Sequence, residues 1–375
     1  MTIRTGVFLL EGRDPEARWE SLLAWADAMA REQQDTLAVA SQVGPFLPGF
    51  TARAPQAAQQ GYTVTRLGVK LPTGHWYALD YHALLQLAAL LGLPSDVVQR
   101  GLERQSRALT TWMREEFAAL GDVTHRWRLD GAVVRAILSN VYGPLDSHVV
   151  LRELRRALVE QRLHPVRVVH APHRHRIEFA RDRDDRSASG LRAGLVLTNS
   201  EVAEAALTLA PAVVGGRFTS RLEHPDLLEL RHTLHAATRL VERVPAAVPA
   251  LCGIADDAVA RWLTHRHIPV REPDPRRWQQ ALEPALGKPL AAKVLSQWAA
   301  QPPAEQTLQT LFHAVAEAAR SLNDTSASLD IERLLTVVLY PEVDARVAAD
   351  AGVRAREAEP AERRPRRGAA AAFVA

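Results

Sequence analysis

The fold class of this chain follows first from one segment, His125-Arg-Trp-Arg-Leu-Asp-Gly-Ala-Val-Val-Arg-Ala-Ile-Leu138. Two runs rich in aromatic and β-branched residues flank Asp130-Gly131, a dipeptide that strongly favours a hairpin turn. Because successive side chains of a strand alternate between its faces, Arg126 and Arg128 share one face and Trp127 lies on the other, in the core. The segment therefore predicts an antiparallel hairpin.

Helical and strand patterns alternate on both sides of this hairpin. Helices are predicted over 14–42, 81–91, 95–117, 147–163 and 201–207, and strands over 62–71, 165–181 and 191–197. From Pro225 onward every periodic segment is helical: 225–243, 255–266, 275–286, 289–300, 304–321 and 329–350. The pattern predicts an α+β fold, with a mainly antiparallel sheet and helices in the N-terminal body and an all-helical C-terminal part.

The same patterns divide the 375 residues into four parts. Residues 1–60 hold a helix and a loop, 61–222 an α+β domain, and 223–351 the helical region. Residues 352–375 are mostly Ala, Arg, Glu and Pro, a composition that builds no core, so this tail is predicted to be disordered.

Composition excludes several classes of protein. The single cysteine, Cys252, rules out an internal disulfide and cysteine-rich metal sites, and is typical of a reducing compartment. No apolar run approaches the 18 residues of a membrane span, and the run from Gly6 to Leu10 is too short for a signal sequence. We expect a soluble, cytoplasmic protein with no membrane partner.

Motifs of the common enzyme families are missing from the sequence. It contains no GxxxxGK[ST], GxGxxG, HExxH, GxSxG or CxxC pattern. We therefore expect no cofactor and no metal, and catalysis is left uncertain with the balance against it. A site assembled from scattered residues would leave no such local pattern.

Charge is concentrated in one part of the chain. The net charge is +3, and 43 of the 46 basic residues are arginines, as a GC-rich genome would also produce. Between His125 and Arg192, however, the sequence contains 14 arginines and only 8 acidic residues. Arginines on a strand face can track a phosphate backbone, whereas surface arginines that only solubilise the protein remain the alternative.

The run His170-Ala-Pro-His173-Arg-His175-Arg176 is a second candidate site. His173 and His175 alternate, so on a strand they would share a face and could bind a metal or phosphates. No acidic residue accompanies them at the spacing of a metal ligand, and the neighbouring arginines would repel a cation. A solvated strand face is the favoured interpretation.

Three stretches, taken in order, resemble the phage and plasmid-like proteins that contain the domain of unknown function 932. They are Leu79–Pro94, with its His-Ala-Leu-Leu-Gln-Leu run, Val134–Asp146 and Gly194–Val202. The likeness spans about residues 60–215, and Asn140, Val141 and Ala203 depart from the family's pattern. The family's downstream Y-R-L-V-C-T-N-G stretch is also missing, so the resemblance is to a divergent member. It implies a role in the DNA metabolism of mobile elements or its host counterpart.

The second and third stretches contain strand exits with small polar residues that are suited to turns and caps. If these exits lie beside the arginine face, they contact phosphates or bases. The predicted nucleic-acid interface comprises Arg126, Arg128, Arg135, Ser139, Asn140, Tyr142, Arg174, Arg176, Arg192, Asn199 and Ser200. The leading hypothesis is a non-catalytic DNA-binding protein, with single-stranded DNA favoured over double-stranded, that binds or anneals strands as a homo-oligomer.

Two alternatives stay open. One is a metal-dependent enzyme that acts on nucleic acid with Asp146, Asn199 and Glu201. The other is an assembly or adaptor protein whose C-terminal helices contact other proteins.

Overall fold

A computed structural model of the chain has two β-sheets, each with helices packed on it, and confirms the α+β class. It describes residues 6–10, 14–50, 62–182, 190–215, 219–222, 224, 226–265, 279, 283, 287–302, 306, 307, 309–311 and 314. The elements are β1 (Gly6–Leu9), α1 (Pro15–Glu32), β2 (Gln33–Val39), β3 (Phe46–Pro48), β4 (Val64–Lys70), β5 (Trp76–Asp80), α2 (Tyr81–Leu90), α3 (Ser95–Glu103), α4 (Arg107–Ala119), β6 (Thr124–Asp130), β7 (Val133–Ser139), α5 (Ser147–Glu160), β8 (Leu163–His170), β9 (His175–Arg181), β10 (Arg192–Asn199), β11 (Leu207–Val214), β12 (Thr219–Arg221), β13 (Leu228–Leu230), α6 (Ala236–His265) and α7 (Lys288–Ala299).

Sheet A is antiparallel throughout, in the order β1-β8-β9-β10-β11-β12, and β13 also pairs with β11. Helices α1, α5 and α6 contribute to the core on one of its faces, where Trp19 stacks on Phe179 with ring centroids 5.5 Å apart. Asp14 caps α1 by accepting a hydrogen bond from the Ala17 amide, and Pro15 fits the first turn. We call sheet A with these three helices lobe A.

Sheet B has the order β2-β6-β7-β5-β4-β3, and its only parallel pair among the described strands is β5 with β7. Helices α2, α3 and α4 line a second core on one of its faces, in which Phe117 meets Trp127 edge-on. We call this sheet with its helices lobe B. The β6–β7 hairpin and its turn at Asp130-Gly131 are confirmed, and Trp127 is completely buried as predicted.

The helix predicted over 14–42 is wrong beyond Glu32, because residues 33–39 form β2. This strand pairs with β6 along its whole length, from Gln33 opposite Asp130 to Val39 opposite Thr124. The backbone pairing outweighs the helical tendency of a sequence with little alternation of its own. Residues 14–48 thus supply one helix to lobe A and two strands to lobe B.

Three further element predictions are also corrected. Residues 165–181 form a hairpin that turns at 171–174, and residues 201–205 form a turn instead of a helix. Residues 228–230 form β13, so the helix predicted from 225 begins only at Ala236. That helix then continues through Pro245 and Pro249, because its apolar face packs on the core of lobe A.

Toward the C-terminus, α7 confirms the helix predicted over 289–300. Most of the helices predicted over 275–286 and 304–321, all of that over 329–350, and the tail from 352 lie outside the described residues. Across the part of the chain that is described, no helix combines the length and the apolarity that crossing a membrane requires.

Candidate functional site

The cores of the two lobes are separate, and a set of buried polar contacts joins them. Arg128 on β6 is the most connected of these groups and is only 1% exposed. Its guanidinium donates to both carboxylate oxygens of Asp35 at 2.9 and 3.0 Å, to Asp146 at 2.6 Å and to the Glu201 carbonyl at 2.7 Å. Because Glu201 belongs to lobe A, Arg128 ties the two lobes together.

Electrostatics show that this arginine is fully engaged. Burial by itself lowers the pKa of Arg128, but its bonds to Asp35 and Asp146 outweigh burial and raise the pKa above the usual value. For Asp35 the signs are opposite. Burial by itself raises the pKa of Asp35, but its bonds to Arg128 and Arg126 outweigh burial, and the pKa is lowered. A buried cation that is satisfied in this way is held by its partners and is not available to a phosphate.

Glu201 is the acidic counterpart in lobe A. Its carboxylate accepts a hydrogen bond from the Ser147 amide at 2.8 Å and another from the Gln33 side chain, and it lies 3.9 Å from Arg135 and 3.6 Å from His175. Burial alone raises the pKa of Glu201, but the neighbouring His175, Arg135 and Ser147 hold it well below the usual value. The group is therefore an ionised carboxylate inside the protein.

Histidine rings extend this network. The Nδ1 atoms of His170 and His175 are 2.8 Å apart, and the two rings stack on each other. Trp25 meets both rings edge-on. Burial and then the neighbouring His175 lower the pKa of His170 to about 3, so its imidazole is neutral at pH 7. The prediction of a solvated strand face is wrong for His175, which is 1% exposed.

His173, the other histidine of that run, is half-buried and pairs with the completely buried Asp80 at the end of β5. Its ring lies 4.9 Å from that of His82. Within the described residues, no group of three or more His, Cys, Asp or Glu side chains is arranged to hold a metal ion. The histidines therefore join elements of the two lobes, since Asp80 and His82 belong to lobe B.

The three stretches that carry the family resemblance meet at one place. Gln86 accepts a hydrogen bond from the Ile137 amide at 2.7 Å and donates to the Val202 carbonyl at 3.1 Å. His82 Nε2 is 3.0 Å from the same Val202 carbonyl oxygen. Residues from all three stretches are thus bonded side by side, although they are far apart in sequence.

A cavity of about 870 Å³ opens beside this junction, between the lobes. Lobe B lines it with His82, Ser139 and Tyr142, and lobe A lines it with the turn after Glu201 and with the segment from Glu229 to His235. Cavities between two structural units are common places for ligands, and this volume is within their usual range.

An aromatic pair forms one wall of the cavity. The rings of Tyr142 and His232 stack with 5.1 Å between centroids and 3° between planes, and the Tyr142 hydroxyl lies 3.0 Å from His232 Nδ1. Burial lowers the pKa of His232 to about 4 and raises that of Tyr142 above its usual value. Both groups are therefore neutral at pH 7 and offer hydrogen bonds without charge.

Charged side chains stand at the opening of the cavity. Glu229 and Arg231 are exposed, and among the described residues neither side chain forms an ion pair. Glu204 also lines the cavity and lies 3.9 Å from Arg174. With Arg174 beside Glu204, two carboxylates and two guanidiniums stand at the opening, which therefore carries no cationic excess.

The six predicted arginines do not share one face. Arg126, Arg128 and Arg135 belong to the network between the lobes, and Arg135 donates to the Pro172 carbonyl at 2.7 Å. Arg176 and Arg192 are buried on the face of sheet A opposite the main core, where Arg176 bonds Glu178 at 3.0 Å. Arg174 lies in the turn before β9 and is the most exposed of the six.

The predicted polar residues are also distributed. Ser139 and Tyr142 line the cavity, and Asn140 is exposed in the turn between them. Asn199 and Ser200 are buried: Asn199 donates to the Leu145 carbonyl at 2.6 Å, and Ser200 accepts from the Glu204 amide at 3.0 Å. These last two side chains hold the strand exits in place.

The residues of the enzymatic alternative do come close to one another. Asp146 bonds Arg128, Asn199 bonds the neighbouring Leu145 carbonyl, and Glu201 bonds the Ser147 amide. Oxygens of Asp146 and Glu201 are thus already bonded to protein donors, whereas Asn199 uses its amide nitrogen, and its Oδ1 accepts no hydrogen bond among the described residues. The arrangement stabilises the junction and gives no particular support to a metal centre.

Sequence reasoning missed Asp35, Asp80, Glu229, Arg231 and His232. Asp35 falls on a segment predicted to be helical, and the segment from 229 to 232 on another, so no strand alternation pointed to them. For the contact between the lobes, the sequence offers one local signal: His82 and Gln86 are four residues apart, so their side chains lie next to each other on one helix face. Comparison with family models, with curated proteins and with solved structures finds no match for this chain.

Proposed function

We propose that the protein binds single-stranded nucleic acid without catalysis and receives unstacked bases in the cavity between its lobes. The observation that carries the proposal is the wall formed by the neutral, stacked pair of Tyr142 and His232. Unstacked bases are recognised by aromatic and histidine rings together with hydrogen bonds to their edges. The cavity supplies both kinds of group.

The electrostatics favour contacts to bases over contacts to phosphates. Most of the strand arginines are buried and bonded, and the cavity lining carries Glu204 and Glu229 against Arg231. A phosphate backbone needs a cationic groove, whereas a neutral base does not. Because the bases of a duplex are paired and stacked, only a single strand offers them to such a cavity.

The family resemblance agrees with this proposal, because two of the stretches that carry it line the cavity and the third ends directly before the lining residue Ala203. A divergent relative of the phage and plasmid-like proteins would act in DNA metabolism inside the cell. Binding or annealing as a homo-oligomer remains part of the proposal, and light scattering of the full chain with and without an oligonucleotide measures the oligomeric state.

A salt series tests the mode of binding. Each phosphate contact to a single strand contributes about −0.7 to the slope of log affinity against log salt. Arg231 lines the cavity and Arg174 lies beside it, and together they supply at most two phosphate contacts, so we expect a slope no steeper than about −1.4 for a fluorescent 15-nucleotide strand. A duplex of the same length should bind at least about tenfold more weakly, since each unstacked base is worth about 1–3 kcal/mol.

The basic run of the tail needs a control of its own. Arg363, Arg364, Arg366 and Arg367 lie outside the described residues and would add to the slope if they touch phosphates. The series is therefore repeated on a variant with alanine at these four positions. A slope of −4 or steeper in that variant, or no binding of single strands by the unaltered protein, contradicts the proposal.

A further inference from the structure

We propose that the cavity prefers guanine, which Glu229 and Arg231 recognise together. This inference rests on the proposed function and concerns the identity of the bound base. It follows from the placement at the same opening of one carboxylate and one guanidinium that form no ion pair with any residue the structure describes.

The strand β13 and the residue that follows it position the two side chains. Leu228 and Leu230 are buried in the core of lobe A, so the alternation of the strand turns Glu229, which lies between them, to its other side. Arg231 comes directly after the last residue of β13 and is exposed, as Glu229 is. Both residues line the cavity.

Both side chains are available to a ligand. In the described part of the protein neither forms an ion pair, and the hydrogen bond from Arg243 goes to the backbone carbonyl of Glu229 rather than to its carboxylate. Glu204, the other carboxylate at the cavity, is already close to Arg174. A ligand thus meets one acceptor group and one donor group, each able to form two parallel hydrogen bonds.

Guanine matches this pair better than the other bases. Its O6 and N7 atoms accept two hydrogen bonds from a guanidinium, which is the commonest specific contact of arginine with a base. Its N1–H and N2 amino groups donate to a carboxylate. Adenine and cytosine each present only one donor group on these edges, and thymine and uracil present no amino group, so each leaves part of the pair unmatched.

Competition by nucleotides tests this preference. The full-length protein is bound to the labelled single strand, and GMP, AMP, CMP and UMP compete for it. Because the phosphate is common to all four, the ratio of their competition constants reports the base alone. GMP should compete at least about tenfold more strongly than the others. IMP, which lacks the N2 amino group, should be several-fold weaker than GMP.

Variants identify the residues responsible. Glu229→Gln and Arg231→Ala should each reduce the ratio of GMP to AMP competition to about one. Glu242→Gln and Arg239→Ala, exposed on the early turns of α6 and absent from the cavity lining, should leave that ratio unchanged. Circular dichroism and thermal unfolding of each variant establish that it is folded.

The possible failures are distinguishable. If the strand binds but the four nucleotides compete equally, or if Glu229→Gln keeps the full preference for GMP, the guanine inference is overturned and the proposed function stands. If the unaltered protein binds no single strand, the proposed function itself is wrong.

Discussion

Two histidines with lowered pKa values make the stability of the protein sensitive to acid. Burial lowers the pKa of His170 to about 3 and that of His232 to about 4, whereas the unfolded chain has histidines near 6.5. Between about pH 6.5 and pH 4 the unfolded state therefore binds protons that the folded state does not. The free energy of unfolding must fall as the pH falls through this range.

At pH 5 the expected loss is about 2 kcal/mol for each of these histidines relative to pH 7. Urea unfolding at pH 7, 6 and 5 measures it. His170→Gln should reduce the pH dependence by about the share of one histidine. An unfolding free energy that stays constant from pH 7 to pH 5 would disprove the neutral, buried state of these rings.

Arg128 shows why the site could be predicted only in part. Alternation correctly placed Arg126 and Arg128 on one face, and both bond Asp35. Alternation does not say whether another element covers that face. The turn at Glu201 covers Arg128, and it comes from a part of the chain 73 residues away. A charged residue in a sequence looks the same whether it meets solvent or a buried carboxylate.

At the scale of elements, the contact between Gly143 and the segment before α6 shapes the cavity. Gly143 donates a hydrogen bond to the His232 carbonyl at 3.2 Å, and Tyr142 forms an isolated β-bridge with Thr233. A Cβ atom added to Gly143 would clash with the backbone carbonyl of Thr233. The close approach of the two segments therefore requires glycine at this position.

Gly143→Ala should destabilise the protein by about 1–3 kcal/mol, because one segment must move away from the other. It should also weaken binding of the single strand, since the Tyr142–His232 pair is displaced. Gly253→Ala is the matched control: this exposed glycine of α6 has open space around it, so alanine should stabilise the helix by up to about 1 kcal/mol. Equal unfolding free energies for the two variants, measured in urea, would contradict this account of the junction.

Elements with a strong local signal were predicted well. The β6–β7 hairpin has its Asp130-Gly131 turn, and α2 has a continuous apolar run. Strand β2 lacks alternation and owes its conformation to pairing with β6, so nothing local identifies it. Helix α6 was divided in the prediction because its two internal prolines are ordinarily helix breakers, and only packing on lobe A keeps it continuous.

At the scale of the whole molecule, two separately packed lobes are joined by polar contacts, with a cavity between them. Ser139 and Tyr142 were predicted as site residues and do line it, because Ser139 is the last residue of β7 and Tyr142 lies in the turn that follows. The lobe A side of the cavity was not predicted. It depends on how β13 and the start of α6 approach lobe B, which is a property of the tertiary structure.

A large side chain placed in the cavity tests whether the cavity is where the base binds. Ala205 lines the cavity, and its methyl side chain forms none of the hydrogen bonds of the junction, so Ala205→Trp should occupy the space of a base. Ala260→Trp, on an exposed position of α6, adds the same ring elsewhere.

Fluorescence anisotropy with a labelled 15-nucleotide single strand measures the affinity of both folded variants. We expect Ala205→Trp to bind at least about tenfold more weakly than the unaltered protein, in keeping with the loss of one stacked base, and Ala260→Trp to bind normally. Unchanged affinity of a folded Ala205→Trp variant would contradict binding in the cavity.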